Sequence, residues 1–306
     1  MKFRDILIAL LVAAIWGFNF VVIRAGLASM PPLLLVALRF LVAALPAALL
    51  PRPAVPWPRL LAVALTLFIG QFALLFTAMA VGMPPGLASV ALQSQAFCTV
   101  LIAALVLRER PTPRQILGTL VAFAGLLAIG STVGSGGVTA AGLLLTLGAA
   151  LCWGAGNVLL RGVGKVDMLG LMVWLSLIPP VPVFALSWAM EGRAAVVGAL
   201  VNMTWLGAGA VLYIAMISTL VGFGLWGALL KRYPASTVAP FSMLVPLFGA
   251  ASAALVYGER FGPGRLVGMA LILVGLAVVA LPLPAALRRR RHGMVTRRPN
   301  TNWRPT

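Results

Sequence analysis

Two long stretches of this chain, residues 60–107 and 115–160, contain no charged side chain. Each is about twice as long as the roughly 20 apolar residues with which an α-helix crosses the hydrocarbon core of a bilayer. Turn residues interrupt both stretches near the middle, at 82–86 and 130–137, so each stretch predicts two membrane-spanning helices. Because 62% of all residues are hydrophobic and only 9% are charged, a water-soluble fold is excluded.

Six further apolar runs complete the pattern and bring the predicted number of spans to ten. The runs are too long for the strands of a membrane β-barrel and lack their alternation of polar and apolar residues. We therefore predict an all-α integral membrane protein with ten transmembrane helices and no room for a sizeable soluble domain. The six runs lie near residues 5–28, 31–50, 166–189, 203–230, 234–257 and 263–283.

Lysine and arginine residues lie mainly on one side of this predicted topology. An even number of spans puts both ends on one side. That side carries 18 of the 23 Lys and Arg residues, the other side carries Arg193, Arg260 and Arg265, and Arg24 and Arg39 lie within spans. The positive-inside rule places both termini in the cytoplasm, so we expect a multi-pass protein of the cytoplasmic (inner) membrane. The net charge of +18 is thus a topology signal, and nucleic acid is not an expected partner.

The basic segment 285–306 follows the last span, and we expect a disordered cytoplasmic tail that touches anionic lipid. This tail contains His292, the single histidine of the chain, so no histidine is available within the spans. Cys98 and Cys152 lie in apolar runs, where a free cysteine behaves as a small buried residue. We therefore expect neither a metal nor a cofactor.

All five acidic residues lie at span ends or in loops, so no carboxylate is expected at the middle of the membrane. They are Asp5, Glu109, Asp167, Glu191 and Glu259. A transporter that exchanges cationic drugs for protons would need an intramembrane carboxylate, so the expected substrate is neutral, zwitterionic or anionic. The chain also lacks the clustered acids or histidines that membrane enzymes use, which argues against an enzyme.

Two sets of residues recur at constant offsets and indicate an internal repeat. Trp16-Gly17, Val21 and Arg24 recur 137 residues later as Trp153-Gly154, Val158 and Arg161, and Glu109-Arg110, Pro113, Gly118 and Gly125 recur 150 residues later as Glu259-Arg260, Pro263, Gly268 and Gly275. We predict two repeats of five helices, 1–137 and 138–284. Since five is odd, the second repeat enters the membrane from the opposite side, which is the inverted arrangement of many secondary transporters.

These motifs, together with Arg39 in the second span and the Ala- and Pro-rich starts of the fourth and ninth spans, resemble the EamA family of the drug/metabolite transporter superfamily. The resemblance covers roughly residues 5–283, and the repeated Glu-Arg-x-x-Pro segment is its most specific part. It implies a basket of ten helices that exports small metabolites, often amino acids. For Arg39 it implies a structural role between helices, while recognition of a substrate carboxylate stays open, because an arginine inside a span needs a partner or water.

Polar and aromatic residues inside the spans are the candidates for a substrate pathway. Ser89, Gln93 and Phe97 stand four residues apart in the fourth span, and Phe72 and Phe76 stand four residues apart in the third. Phe76 corresponds to Trp226 in the second repeat. For each candidate, helix packing is the alternative role. The full set is Trp16, Asn19, Phe72, Phe76, Ser89, Gln93, Phe97, Trp153, Asn157, Phe223, Trp226 and Pro240, with Arg39 as the possible carboxylate contact.

The sequence therefore predicts a secondary transporter that exports small metabolites by alternating access through a central cavity between the repeats. Amino acids with bulky apolar or aromatic side chains are the expected substrates, because the candidate lining is rich in aromatic residues and lacks acids. A multidrug, nucleotide-sugar or other metabolite transporter of the same superfamily is the alternative. A membrane-embedded lipid transferase is the remote alternative.

Overall fold

The computed structural model describes residues 1–134, 138–164 and 166–280. The predicted basic tail, 285–306, lies outside these residues. Within them, nine helices are long and apolar enough to cross a membrane, and a tenth apolar helix is slightly shorter. The prediction of an all-α protein with ten spans is confirmed.

Each of the ten helices, α1–α10, coincides with one predicted span. Their bounds are α1 Phe3–Leu27, α2 Pro32–Leu49, α3 Trp57–Ala80, α4 Pro85–Val106, α5 Pro113–Gly130, α6 Ala140–Leu160, α7 Met168–Ser176 and Pro180–Met190, α8 Trp205–Arg232, α9 Ala235–Ser242 and Val245–Tyr257, and α10 Pro263–Ala280. A short helix, Arg193–Val201, lies between α7 and α8.

Local sequence sets the ends of these helices. Pro32, Pro85 and Pro113 stand in the first turn, where the missing N–H of proline costs nothing. The hydroxyl of Thr112 accepts the N–H of Gln115, whose side chain accepts the N–H of Thr112 in return, and this capping box fixes the start of α5.

Contacts between helix ends follow the alternating topology. On the side of the N-terminus, Asp5 accepts hydrogen bonds from Arg232 Nη1 at 3.1 Å and from the Tyr233 hydroxyl at 2.7 Å, which joins the start of α1 to the end of α8. On the opposite side, Glu191 at the end of α7 accepts the N–H groups of Leu33 and Leu34 at the start of α2. These contacts agree with helices that cross the membrane in alternate directions.

The glycines of the repeated motif pack α5 directly against α10. A Cβ atom on Gly118 would lie 2.7 Å from the carbonyl oxygen of Gly275, and one on Gly125 would lie 2.6 Å from that of Gly268. At the offset of 150, Gly118 corresponds to Gly268 and Gly125 corresponds to Gly275, so the two contacts are equivalent to each other. Such a self-complementary pair is what a two-fold axis between α5 and α10 produces, so the five-helix repeats are inverted, as predicted.

The Trp-Gly motif marks a second pair of equivalent contacts. A Cβ on Gly17 in α1 would lie 2.8 Å from the backbone nitrogen of Gly249 in α9, and one on Gly154 in α6 would lie 2.9 Å from that of Thr99 in α4. Small residues of this kind let helix backbones approach closely in membranes. The motif therefore fixes α1 on α9 and α6 on α4.

Two of the spans depart from regular α-helix at equivalent positions. Ala64–Gly70 in α3 and Tyr213–Val221 in α8 are π-helical, and the offset of 150 superimposes most of the two segments. A π-helical segment changes the backbone hydrogen-bonding pattern and is frequently found at functional sites. The segment in α8 packs against α2. In the segment of α3, the ring centroid of Phe68 lies 5.0 Å from that of Phe40, a fully buried residue of α2.

Candidate substrate pathway

The pathway candidates are arranged around α4 and α9, which pack together at one end and separate at the other. The first half of α4 packs against the second half of α9, where the Ser89 hydroxyl donates to the carbonyl oxygens of Gly86 at 2.7 Å and of Pro246 at 3.3 Å. The first half of α9 instead packs mainly against α1 and α8. The two helices therefore separate toward the side of the N-terminus.

Three predicted residues, Trp16, Phe223 and Trp226, form one aromatic cluster. The ring centroid of Trp16 lies 5.1 Å from that of Phe223 and 5.3 Å from that of Trp226, both in α8. The indole Nε1–H of Trp16 donates to the carbonyl oxygen of Ser218 at 3.0 Å, within the π-helical segment. All three rings are half-buried, so the cluster can present an apolar, electron-rich surface to a small molecule.

Arg39 is buried among aromatic rings, and no acid of the described residues pairs with it. Its side chain is 2% exposed, and Nη2 donates to the Thr219 hydroxyl at 2.9 Å. Its Cζ atom lies 4.0 Å from the ring centroid of Phe72 and 5.8 Å from that of Phe76, which supplies cation–π attraction. Its Nε and Nη1 atoms have no hydrogen-bond partner within the described structure.

Asn157 in α6 belongs to a separate polar cluster with α4. Its amide Nδ2 donates to Gln95 Oε1 at 2.8 Å and to the Thr99 hydroxyl at 3.2 Å. All three side chains are half-buried. Gln95 and Thr99 lie in the second half of α4, the part of that helix that separates from α9, and Asn157 contacts them there from α6.

The other predicted residues occupy different surroundings. Asn19 is buried, and its Oδ1 atom has no hydrogen-bond partner among the described residues. Gln93 is buried in the 3₁₀ turn Leu92–Ser94. Phe97 is buried in a small cluster with Ala122 of α5 and Leu276 of α10, while Trp153 packs partly buried against the main core and Pro240 lies half-buried inside the first segment of α9.

Three polar residues at the site were not among the sequence candidates: Gln95, Thr99 and Thr219. Gln95 and Thr99 stand four residues apart in an apolar helix, a spacing that places them on one face and could have indicated their cluster. No comparable signal marks Thr219, because its contact with Arg39 depends on how α2 packs against α8.

A groove of about 830 Å³ between α1, α8 and α9 holds none of the predicted residues. Its lining is mainly apolar and includes Trp205 and Leu206, which are 95% and 58% exposed. Side chains this exposed on spanning helices face lipid, so we assign this groove to the membrane-facing surface rather than to the pathway.

Charged side chains of the described residues, other than Arg39, stay near the helix ends. The three ion pairs among the described residues join Arg161 to Glu109, Lys231 to Asp167 and Arg232 to Asp5. The pKa of Asp167 is lowered by the hydrogen bond from Lys231 and by the N–H of Gly170. No cluster of metal-ligating side chains occurs in the described part of the chain.

Replacing Asn157 with leucine is expected to lower the free energy of unfolding by about 0.6 kcal/mol and at most about 1.7 kcal/mol, the range measured for hydrogen bonds between membrane helices. The loss arises because Gln95 Oε1 loses its donor. Thermal unfolding of the purified protein in detergent measures the effect. Asn202→Leu is the control, because the Asn202 amide is exposed and, among the described residues, donates just to the Gly198 carbonyl oxygen one turn earlier in the chain; an equal shift in both variants would contradict the assignment.

Comparisons with known proteins agree with this architecture. Residues 4–131 and 140–281 match the EamA-like transporter family. A "Probable amino-acid metabolite efflux pump" of Salmonella typhimurium (strain LT2) is 42% identical over 284 residues, or 91% of this chain and 95% of that protein. A protein of the same name from Escherichia coli (strain K12) is 41% identical over the same shares of the two chains. A solved crystal structure with 20% identity covers 95% of this chain and 99% of its own at a TM-score of 0.63, which shows a common fold.

Proposed function

Because the chain belongs to the EamA-like transporter family, we propose that it exports amino acids, in particular those with bulky apolar or aromatic side chains. It is a multi-pass membrane protein and a metabolite exporter of the EamA type, not an enzyme. The names of the two bacterial efflux pumps support the amino-acid class. The aromatic cluster around Trp16 and the rings beside Arg39 support the preference for bulky side chains.

The observation that carries this proposal is the buried guanidinium of Arg39, which has two nitrogen atoms without a partner among the described residues. Burial of a charge without a partner is costly, so an arginine in this position is expected to bind an anion at some stage of its cycle. A carboxylate suits this position, because it can accept hydrogen bonds from the unpaired Nε–H or Nη1–H groups and neutralise the buried charge. In our proposal Arg39 binds the substrate carboxylate, Phe72 and Phe76 contact the apolar side chain, and the Oδ1 atom of Asn19 is an acceptor for the ammonium group.

Transport by alternating access would move the repeats, 1–137 and 138–284, against each other around this site. Ser89, Gln93, Phe97, Trp153, Asn157 and Pro240 then line or support the cavity during part of the cycle. The excess of Lys and Arg on the N-terminal side supports an orientation with both termini in the cytoplasm of a bacterial inner membrane. In this orientation α4 and α9 separate on the cytoplasmic side, where an exporter takes up its substrate.

Proteoliposomes preloaded with one labelled compound at a time test the substrate class. We expect rapid efflux of phenylalanine, tryptophan and leucine, slow efflux of glycine, and no flux of a nucleotide sugar. Liposomes without protein measure leakage. Uptake of a cationic dye driven by a proton gradient, together with no amino-acid flux, would overturn the proposal in favour of a multidrug transporter.

A further inference from the structure

Equivalent halves of α4 and α9 have different environments in this conformation. Leu87 and Ser89 in the first half of α4 are 0% and 1% exposed. Their equivalents at the offset of 150, Thr237 and Ala239 in the first half of α9, are both exposed. The first half of α4 also packs on the second half of α9, and no packing of similar extent joins the other halves of these helices among the described residues. Together these differences indicate a conformation that is closed on the side opposite the N-terminus and open on the N-terminal side.

Glu259 fastens the closed side. It lies in the connection between α9 and α10, is partly buried, and its Oε2 atom accepts the N–H of Gly86 in the first turn of α4 at 2.9 Å. A carboxylate at a helix N-terminus is stabilised by the helix dipole. A Cβ on Gly86 would lie 2.7 Å from the Cζ atom of Phe261 and 2.9 Å from Glu259 Oε2, so a side chain there would displace one of these groups. Burial raises the pKa of Glu259, against the effect of the N–H groups of Gly86 and Leu87 and of Arg265.

Glu109, the equivalent of Glu259 in the first repeat, makes a different contact on the open side. Both its oxygen atoms accept hydrogen bonds from Arg161 Nη1, at 3.0 and 2.9 Å, and the two side chains are about half exposed. A contact equivalent to that of Glu259 would join Glu109 to the N–H groups of Ser236 and Thr237 at the start of α9. These two residues correspond to Gly86 and Leu87. In this conformation Glu109 is paired with α6 instead.

The equivalent of Arg161 is Arg24, at the end of α1 on the closed side. Its Nη1 atom donates weakly to the carbonyl oxygen of Met79 at 3.5 Å, while Glu259 is held by α4. The two repeats thus contain the same pair of glutamate and arginine. In this conformation Glu109 pairs with its arginine, whereas Glu259 caps the N-terminus of α4.

We propose that Glu259 and Glu109 are alternating latches of the transport cycle, each closing one side by capping a half-helix of the other repeat. When the protein opens on the opposite side, Glu259 leaves α4 for Arg24, and Glu109 leaves Arg161 to cap the start of α9. Both exchanges follow from applying the two offsets, 137 for the arginines and 150 for the other residues, to contacts present in this structure. The proposal rests on alternating access but not on the identity of the substrate.

Labelling of single cysteines at two equivalent positions tests the latches. The two free cysteines, Cys98 and Cys152, are replaced by alanine, and Leu87→Cys or Thr237→Cys is added as a reporter of one side. In proteoliposomes treated with a maleimide, Thr237→Cys is expected to react fast and Leu87→Cys slowly. Adding Glu259→Gln should raise the labelling rate at position 87 about fivefold and lower it at position 237, since a partly buried cap of this kind contributes about 1 kcal/mol.

The same substitution in the other repeat should act in the opposite direction. Glu109→Gln removes the latch of the alternative state and is expected to slow labelling at position 87, whereas Arg161→Gln releases Glu109 and is expected to accelerate it. These variants keep the proposal testable if Glu259→Gln folds poorly.

Glu191→Gln is the matched control, because Glu191 also caps a helix N-terminus on the closed side but joins α2 to α7. It is expected to leave the ratio of the two labelling rates unchanged. Equal ratios in the Glu259→Gln and Glu191→Gln variants would overturn the latch. Labelling needs no substrate, so a failure of amino-acid export would leave this result intact, and an absent latch would leave the export assignment intact.

Discussion

Replacing Gly125 with valine is expected to abolish most of the yield of folded, monodisperse protein. The new Cβ would lie 2.6 Å from the Gly268 carbonyl oxygen and 2.9 Å from the Ile272 backbone nitrogen, and neither backbone atom can turn aside as a side chain could. The two helices would have to separate along their whole contact. Overpacking of this kind costs about 1–3 kcal/mol and occasionally more, and we expect the upper end because close backbone contact drives helix association in membranes.

Fluorescence-detected size exclusion and thermal unfolding in detergent measure this effect. Gly268→Val is expected to match Gly125→Val, since the two glycines face each other across the same contact. Gly130→Val is the control, because among the described residues a Cβ at Gly130 would approach just Leu143, at 3.8 Å. If Gly125→Val and Gly130→Val unfold at the same temperature, the packing of α5 on α10 differs from that described.

The repeated glycines also show how much of the fold follows from sequence. Their offset of 150 and the odd number of spans per half are sufficient to predict an inverted repeat. The pairing of Gly118 with Gly275, rather than with its equivalent Gly268, could not be predicted from one sequence. It depends on where the two-fold axis passes, which is a property of the packed helices.

The positions of the spans could be predicted from local hydropathy and turn residues. The apolar run 203–230 coincides with α8 to within two residues, because the hydrocarbon thickness fixes the length of a spanning helix and Thr204 caps its start. A turn with positive φ at Gly82 likewise stands in the predicted break between α3 and α4. Span positions need only local information about hydropathy and turns.

Which side chains meet at the site was harder to predict, since helix irregularities change the phase of each helix face. Ser89 and Phe97 share a spacing that would place them on one face of a regular helix. The 3₁₀ turn Leu92–Ser94 lies between them, and Ser89 contacts α9 while Phe97 packs toward α5 and α10. The polar residue that meets Asn157 is accordingly Gln95, beyond the turn.

Replacing Arg39 with methionine is expected to reduce amino-acid export about a hundredfold while leaving the unfolding temperature almost unchanged. Loss of a buried, charge-assisted contact to a ligand carboxylate costs about 3 kcal/mol, which corresponds to that factor. Stability should not fall, because methionine removes a buried charge that has one hydrogen bond and two unpaired nitrogen atoms within the described structure. The Thr219 hydroxyl keeps its own bond to the Ile214 carbonyl oxygen.

Efflux of phenylalanine and of phenylalanine amide from the same proteoliposomes separates recognition from a structural role. The native protein is expected to prefer the acid, because the neutral amide cannot form the ion pair with Arg39. Arg39→Met should lose this preference, whereas Arg59→Met, which removes an exposed arginine at the start of α3, should keep both the flux and the preference. A large fall in unfolding temperature with an unchanged preference per folded molecule would instead assign Arg39 to helix packing, since a packing residue affects acid and amide equally.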